Sequence, residues 1–202
     1  RLKLLKNKTN FSFKKNNLQN KVQVDQIIKK FNPDVVYHIA GQPGVLYSFK
    51  NPKSYKINNI DVTKIITNIC KKHKIKKFIY ASSSSVYGDQ KTFPIKESFK
   101  KKPVNYYAKT KIKSENIIER TFLKSATKYV IFRFFTVYGS FGRPDMFIHK
   151  YLNSIKKNKK VYLHNNGHNY RDFTYINDVV KILISSSKNI PKDLILNICR
   201  SS

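Results

Sequence analysis

Three short apolar runs, residues 35–40, 77–82 and 129–135, are separated by stretches long enough for helices, residues 52–72 and 106–123. Connections of that length let each strand re-enter the sheet in the same direction, so the pattern predicts a doubly wound, parallel α/β fold. After Arg143-Pro144-Asp145 the pattern continues with a helix to about residue 157, short strands near 161–163 and 173–175, a helix from 177 and a strand at 194–198. The elements up to the helix from 177 read as a smaller appended region, and 194–198 as a strand cut off just after it forms. With 202 residues, 40% of them hydrophobic, the chain can build one cored domain, or one and part of a second. No internal repeat, low-complexity segment or flexible linker interrupts it.

In an open parallel sheet, ligands bind outside the carboxyl ends of the strands. Two motifs fall at that edge. The run Phe78-Ile79-Tyr80-Ala81 ends in Ser82-Ser83-Ser84-Ser85-Val86-Tyr87-Gly88, and the helical run from residue 106 opens with Tyr107-Ala108-Lys109-Thr110-Lys111. Tyr and Lys four apart on a helix share a face, so an ammonium beside the phenol favours the phenolate. A free phenol titrates near pH ~10, so Lys111 and a cationic cofactor must supply several kcal/mol for Tyr107 to act as a base near neutrality. A serine hydroxyl would hold the same substrate oxygen. The Tyr-Lys spacing alone is weak evidence, because 13 Tyr and 35 Lys yield about two such pairs by chance, and two occur. The other, Tyr87 with Lys91, encloses Gly88-Asp89 and reads as a turn. Position, at the head of the helix after a serine-tipped strand, is what favours Tyr107 and Lys111.

The formal charge of +30 raises the question of nucleic acid. Lysines are spread along the chain and arginines number only six, so the short runs at 71–77 and 100–102 read as solvated faces. No stretch has the length of a membrane span. Cys70 and Cys199 are too few and too far apart for a disulfide framework, which makes a reducing cytoplasm the default. His38 has no second ligand at metal spacing and reads as structural, so no metal is expected. A dinucleotide fold normally opens with a strand, a Gly-rich turn and a helix. The first of the six glycines is Gly41, so that turn is expected upstream of Arg1 and the chain reads as truncated at both ends.

Taken in order, the motifs resemble the extended short-chain dehydrogenase/reductases, and within them the NAD-dependent sugar-nucleotide epimerases that act on UDP-glucuronate. The matching segments are His38-Ile39-Ala40-Gly41-Gln42-Pro43-Gly44-Val45, Asn51-Pro52 with Asn59, the serine run with Tyr87-Gly88, and Tyr107 with Lys111. They continue through Arg133-Phe134-Phe135-Thr136-Val137-Tyr138-Gly139, Gly142-Arg143-Pro144-Asp145-Met146 and Arg171-Asp172-Phe173-Thr174-Tyr175. The resemblance implies a Rossmann-like NAD-binding domain over residues 1–140 and part of a substrate-binding region over 141–202, the two interleaving in the family.

By the same resemblance, Tyr107 is the base, Lys111 lowers its pKa and holds the nicotinamide ribose, and Ser83 binds the sugar O4. Ala40, Gly41, Asn59, Ala81 and Ser82 join Tyr107 and Lys111 in holding NAD. Ser84, Ser85 and Thr136 suit a hydrogen-bonded C5 carboxylate, Arg143 reaches the sugar end, and Arg171 reaches the diphosphate of the UDP-sugar. A 4,6-dehydratase would need an Asp-Glu pair where Ser84 and Ser85 stand, and a decarboxylase typically has Glu at Ser85. Several positions have plainer readings. Residues 82–85 alone would be a strand-to-loop turn, Arg143 a residue of a tight turn, and Asn59 a satisfied helix Asn. Asn17 stands where relatives usually place an Asp on adenine, and Gly41 and Pro43 where they usually place a small residue, often Ala. The resemblance also implies a homodimer paired through helices 52–72 and 106–123, and a piece lacking both ends that does not turn over by itself. Other 4-epimerases, of UDP-galactose/glucose or UDP-N-acetylhexosamine, stay open, as does a non-catalytic RNA-binding relative.

Overall fold

The computed structural model describes residues 2–161, 163–168, 170–190 and 193–200. In chain order its elements are α1 (Leu2–Leu5), α2 (Lys21–Phe31), β1 (Val35–His38), α3 (Val45–Lys50), α4 (Pro52–Tyr55), a π-helical turn (Lys56–Asp61) and α5 (Val62–Lys72). There follow β2 (Lys77–Ser83), a 3-10 turn (Ser84–Tyr87), α6 (Tyr106–Phe122), β3 (Lys128–Phe134), β4 (Thr136–Tyr138), α7 (Phe147–Lys156), a second 3-10 turn (His164–Gly167), β5 (Phe173–Tyr175), α8 (Ile176–Lys188) and β6 (Leu194–Ile198).

Four parallel strands form the main sheet in the order β1-β2-β3-β6, and β4 pairs with β5 in a small parallel sheet. The doubly wound, Rossmann-like expectation holds, and the physical reason lies in β2. Successive side chains of a strand point to opposite faces. Phe78 and Tyr80 therefore meet Val62, Ile66 and Cys70 of α5 and Ile118 and Phe122 of α6. Ile79 meets Val130, Phe132 and Ile198 of the sheet and Val179 of α8. With helices on both faces, β2 must be apolar throughout its centre, and each such buried side chain contributes about 1.5–3 kcal/mol.

Helix starts follow local chemistry. Asn105 caps α6 by accepting from the Ala108 amide at 2.8 Å, and Asn51 caps α4 through the Ser54 amide at 3.1 Å, with Pro52 at the first turn. The expected single helix over 52–72 is present, but a π-helical turn interrupts it between α4 and α5. Helix α2, capped by Asn20 on the Gln23 amide at 3.1 Å, was not among the sequence expectations. The strand expected near 161–163 falls partly outside the described residues, and its flanks Val161 and Leu163 are in no strand. The strand expected at 194–198 returns to the main sheet beside β3, pairing Val130 with Leu194 through Phe134 with Ile198.

Candidate functional site

The carboxyl ends of β1, β2 and β3 deliver Ala40-Gly41, Ser82 to Ser85, and Phe135-Thr136 to one edge, and α6 passes its first two turns across that edge. Lys111 is buried there. Its ammonium donates to the Ala81 carbonyl at 2.7 Å and to the Tyr80 hydroxyl at 3.3 Å, and Nζ lies 5.8 Å from the centroid of the Tyr107 ring. Burial pulls the Lys111 pKa below the ordinary lysine value, opposed by Tyr107 and Glu115. Tyr107 is half-buried, with its ring edge-on to Tyr55 at 6.2 Å.

Gly41 closes the site from the β1 side. A Cβ there would stand 2.9 Å from Asn59 Oδ1 and 3.8 Å from Lys111 Nζ, so the backbone approaches both. Asn59 lies in the π-helical turn, a feature that often marks functional sites. Its Oδ1 accepts from the Gln42 amide at 2.7 Å, and its Nδ2 donates to the Gln42 carbonyl at 3.2 Å and to Thr110 Oγ1 at 3.0 Å. Asn59 thus clamps the loop after β1 to α6. A cleft of about 420 Å³ continues from this point, lined by Asn16, Asn17, Leu18, Ala40, Gly41 and Gln42, among others. Asn16 Nδ2 is buried there without a protein partner.

The serine run divides its labour. Ser82 donates to Glu115 Oε1 at 2.5 Å, so its side chain is engaged in the interior. Ser83 caps the 3-10 turn by accepting from the Ser85 amide at 3.2 Å, and its hydroxyl lies 2.9 Å from that of Ser85. Ser84 is half-buried beside them. Gly88 ends the turn at φ +65°, where an added Cβ would fall 1.9 Å from the Lys102 carbonyl.

Arg143 pairs with Asp145, its Nε 2.9 Å from Oδ1, and lowers the pKa of that carboxyl. The Arg143 guanidinium also comes within 4.0 Å of where a Gly44 Cβ would be, alongside the Tyr55 hydroxyl at 3.5 Å. Tyr55 is fully buried, donates to the Pro43 and Gly44 carbonyls and supports the Tyr107 ring, so it links Arg143 to the α6 face. Thr136 opens β4 and donates its amide to the Asp172 carbonyl at 3.1 Å, which sets the Arg171-Asp172 segment beside it. Arg171 itself is exposed on this small sheet and donates to the Tyr170 carbonyl at 2.7 Å.

Behind the site stands a buried ionic cluster that sequence reasoning missed as a unit. Glu115, one turn after Lys111, receives Arg133 Nε at 3.0 Å and Nη2 at 2.9 Å, with Lys101 at 2.8 Å on its Oε2. Burial alone would raise the Glu115 carboxyl, but Arg133, then Lys101 and Ser82, hold it below its ordinary value. Arg133 also donates to the Tyr87 hydroxyl at 2.8 Å, which in turn donates to Asn197 Oδ1 at 2.7 Å. The available signal was a Glu four residues beyond Lys111 and an Arg at the end of a strand, a pairing made by the packing of α6 on the sheet, where Ser82 and Arg133 stand in register and both reach Glu115.

His38, read as structural, is buried, and its Nε2 lies 2.9 Å from Thr63 Oγ1. Burial, then Lys111, pushes its pKa down to about 3. Among the described residues, no three His, Cys, Asp or Glu side chains group as a metal site, and no helix is long and apolar enough to cross a membrane.

Known proteins resemble this chain in sequence and fold. UDP-glucuronate 4-epimerase of Thermodesulfobacterium geofontis is 33% identical over 96% of this chain and 60% of its own length. The UDP-glucuronic acid 4-epimerase of Bacillus cereus, solved with UDP-glucuronic acid and NAD, superposes with a TM-score of 0.91 at 32% identity, covering 98% of this chain and 63% of that one. A UDP-N-acetylglucosamine 4-epimerase from Methanobrevibacter ruminantium, solved with UDP-N-acetylmuramic acid, gives 0.90 at 29%, covering 96% and 62%. The chain spans about half the length of the curated relatives it matches. The family described as NAD dependent epimerase/dehydratase matches residues 2–199. With a serine-tipped parallel strand, a Tyr-Lys helix and a glycine approach at one sheet edge, and that match over nearly its whole length, this chain belongs to the NAD dependent epimerase/dehydratase family.

Proposed function

We propose that this chain carries the catalytic segment of an NAD-dependent 4-epimerase that interconverts UDP-glucuronate and UDP-galacturonate. The observation that carries the reading is the Lys111 ammonium, fixed at the end of β2 by the Ala81 carbonyl, one helical turn from Tyr107 and 3.8 Å from the Cβ position of Gly41. The cleft from Asn17 to Gly41, with the partnerless Asn16 amide, fits the adenosine end of a dinucleotide, and the Gly41 approach leaves room for its ribose beside Lys111.

NAD, when bound, would supply hydride acceptance from the sugar C4 and its return to the opposite face. The residues of this chain do the rest. Tyr107 takes the proton from O4 as the C4–H bond breaks, and gives it back once the 4-keto sugar has turned over. Ser83 holds O4. Lys111 keeps a positive charge beside the phenol, and Asn59 holds the loop that shapes the pocket. Ser84, Ser85 and Thr136 hold the C5 carboxylate and so oppose loss of carbon dioxide from the keto sugar. Arg143, on the Tyr55 side of Tyr107, binds the sugar end, and Arg171 the diphosphate. In this reading the cofactor region covers residues 1–140 and the substrate region 141–202, and the two interleave, since Ser83, Ser84, Ser85 and Thr136 also hold the sugar. A second copy pairs through an apolar-lined groove on α6 and the π-helical turn, formed by Ile60, Pro103, Tyr106 and Ile112.

Product analysis of the full-length protein tests the substrate. UDP-glucuronate should yield UDP-galacturonate with little UDP-pentose, and should be preferred to UDP-glucose by about tenfold or more, because polar groups left unpaired are costly. Equal epimerisation of the two, a preference for UDP-N-acetylglucosamine, or UDP-pentose as main product would sink the glucuronate assignment.

A further inference from the structure

Lys111 has three N–H donors and no acceptor, so the direction of any one is set by the partners of the other two. One bonds the Ala81 carbonyl at 2.7 Å and a second the Tyr80 hydroxyl at 3.3 Å, with Nζ 4.8 Å from the Tyr80 ring centroid. The third remains for the side where Tyr107 and Gly41 lie. We propose that Tyr80 is a positioning residue whose buried hydroxyl fixes how the Lys111 ammonium faces Tyr107 and the cofactor. The inference rests on the role given to Lys111 above.

The direction of the hydrogen bonds supports it. Burial pushes the Tyr80 phenol well above its usual range, so it stays protonated, and toward an ammonium its oxygen can only accept. The hydroxyls of Ser114 and Thr63 stand beside it. Each of these spends its proton on the Asn59 carbonyl, at 3.0 Å and 2.5 Å, and so has lone pairs for Tyr80. Lys111 thus donates to Tyr80, and the two hydroxyls beside Tyr80 both donate to the Asn59 carbonyl. That carbonyl belongs to the π-helical turn whose Asn59 side chain also holds the loop after β1. Because Thr63 donates to Asn59, the His38 Nε2–H donates to Thr63, and the neutral imidazole adds no charge. The titratable groups facing Lys111 are Tyr107 and Glu115 of α6, Tyr80 of β2 and His38 of β1.

The test uses full-length protein carrying Tyr80→Phe, Lys111→Met and both. Tyr80→Phe keeps the ring and its packing and removes the acceptor. Its kcat should fall about tenfold, the cost of one charge-assisted hydrogen bond, with KM for the UDP-sugar within about twofold. In the Lys111→Met background the same change should cost nothing further. Without substrate, ¹⁵N-detected titration of the Lys111 ammonium should move to lower pH by about half a unit or more, since the acceptor stabilises the charged form. A Tyr80→Phe protein with wild-type kcat and Lys111 titration overturns the proposal, as does an equal loss of kcat in the Lys111→Met background. If Lys111→Met itself retains full turnover, the catalytic reading fails, and the titration still judges Tyr80. Should Tyr80→Phe fold poorly, Tyr80→Met, which fills much of the ring's volume without a hydroxyl, must shift the titration the same way, and an unmoved midpoint counts against the proposal.

Discussion

Arg133 and Glu115 form a fully buried two-point ion pair, Nε to Oε1 at 3.0 Å and Nη2 to Oε2 at 2.9 Å, that ties β3 to α6 directly behind the Tyr107–Lys111 face. Removing one partner leaves the other charge buried, so Glu115→Ala should destabilise folding by about 3–5 kcal/mol. Denaturant unfolding of the full-length protein checks this, and a loss under about 1 kcal/mol would contradict the buried-pair assignment.

The same pair has a pH signature. The Glu115 carboxyl is held below its ordinary value of 4.5, so its contribution is fully present above that pH. It is lost as pH falls through the lower folded-state value. Glu115→Gln should therefore flatten the decline of Tm below about pH 4.5, and parallel Tm curves for variant and wild type would argue otherwise.

His38 acts in a higher window. Its folded-state pKa of about 3 lies below the ordinary histidine value of 6.5, so the unfolded chain binds the extra proton between those values. Stability should fall as pH drops below about 6.5, with a slope approaching about 1.4 kcal/mol per pH unit from this group. A His38→Gln protein should lose that slope between pH 6 and 4.5, read by chemical denaturation at each pH.

Gly88 tests the turn after the serines. At φ +65°, with a Cβ position 1.9 Å from the Lys102 carbonyl, Gly88→Ala must move backbone as well as adopt a disfavoured conformation. The expected loss is about 2–3 kcal/mol or more. A Tm within a degree of wild type would mean that the turn is looser than the structure describes.

For Tyr107, the ring should matter to packing and the oxygen to chemistry. Tyr107→Phe in the full-length protein should reduce turnover by on the order of 10²-fold or more with little change in UDP-sugar binding. Near-normal turnover would show that another residue is the base.

Local chemistry was legible along the chain. The apolar centre of β2, the start of α6 at residue 106 and the four-residue spacing of Tyr107 and Lys111 are properties of short segments, and the parallel fold follows from the alternation of strands and helices. Helix α2 escaped although Val24, Ile27, Ile28 and Phe31 lie at helical spacing, because Asn20, its cap, sits among other asparagines. The π-helical turn escaped because one extra residue in a helix leaves no period to read, although it is what sets Asn59 against Gln42. Which serine does what was likewise a tertiary matter. Ser82 and Ser83 are chemically identical neighbours, but the strand sends alternate side chains to opposite faces, so one hydroxyl meets Glu115 while the next turns to cap residues 84–87. Lys111 shows the same division. Its helix face is written in the spacing, but its partners Tyr80 and Ala81 are about thirty residues away and meet it only because the sheet packs against α6, where burial in low dielectric makes each ammonium hydrogen bond count.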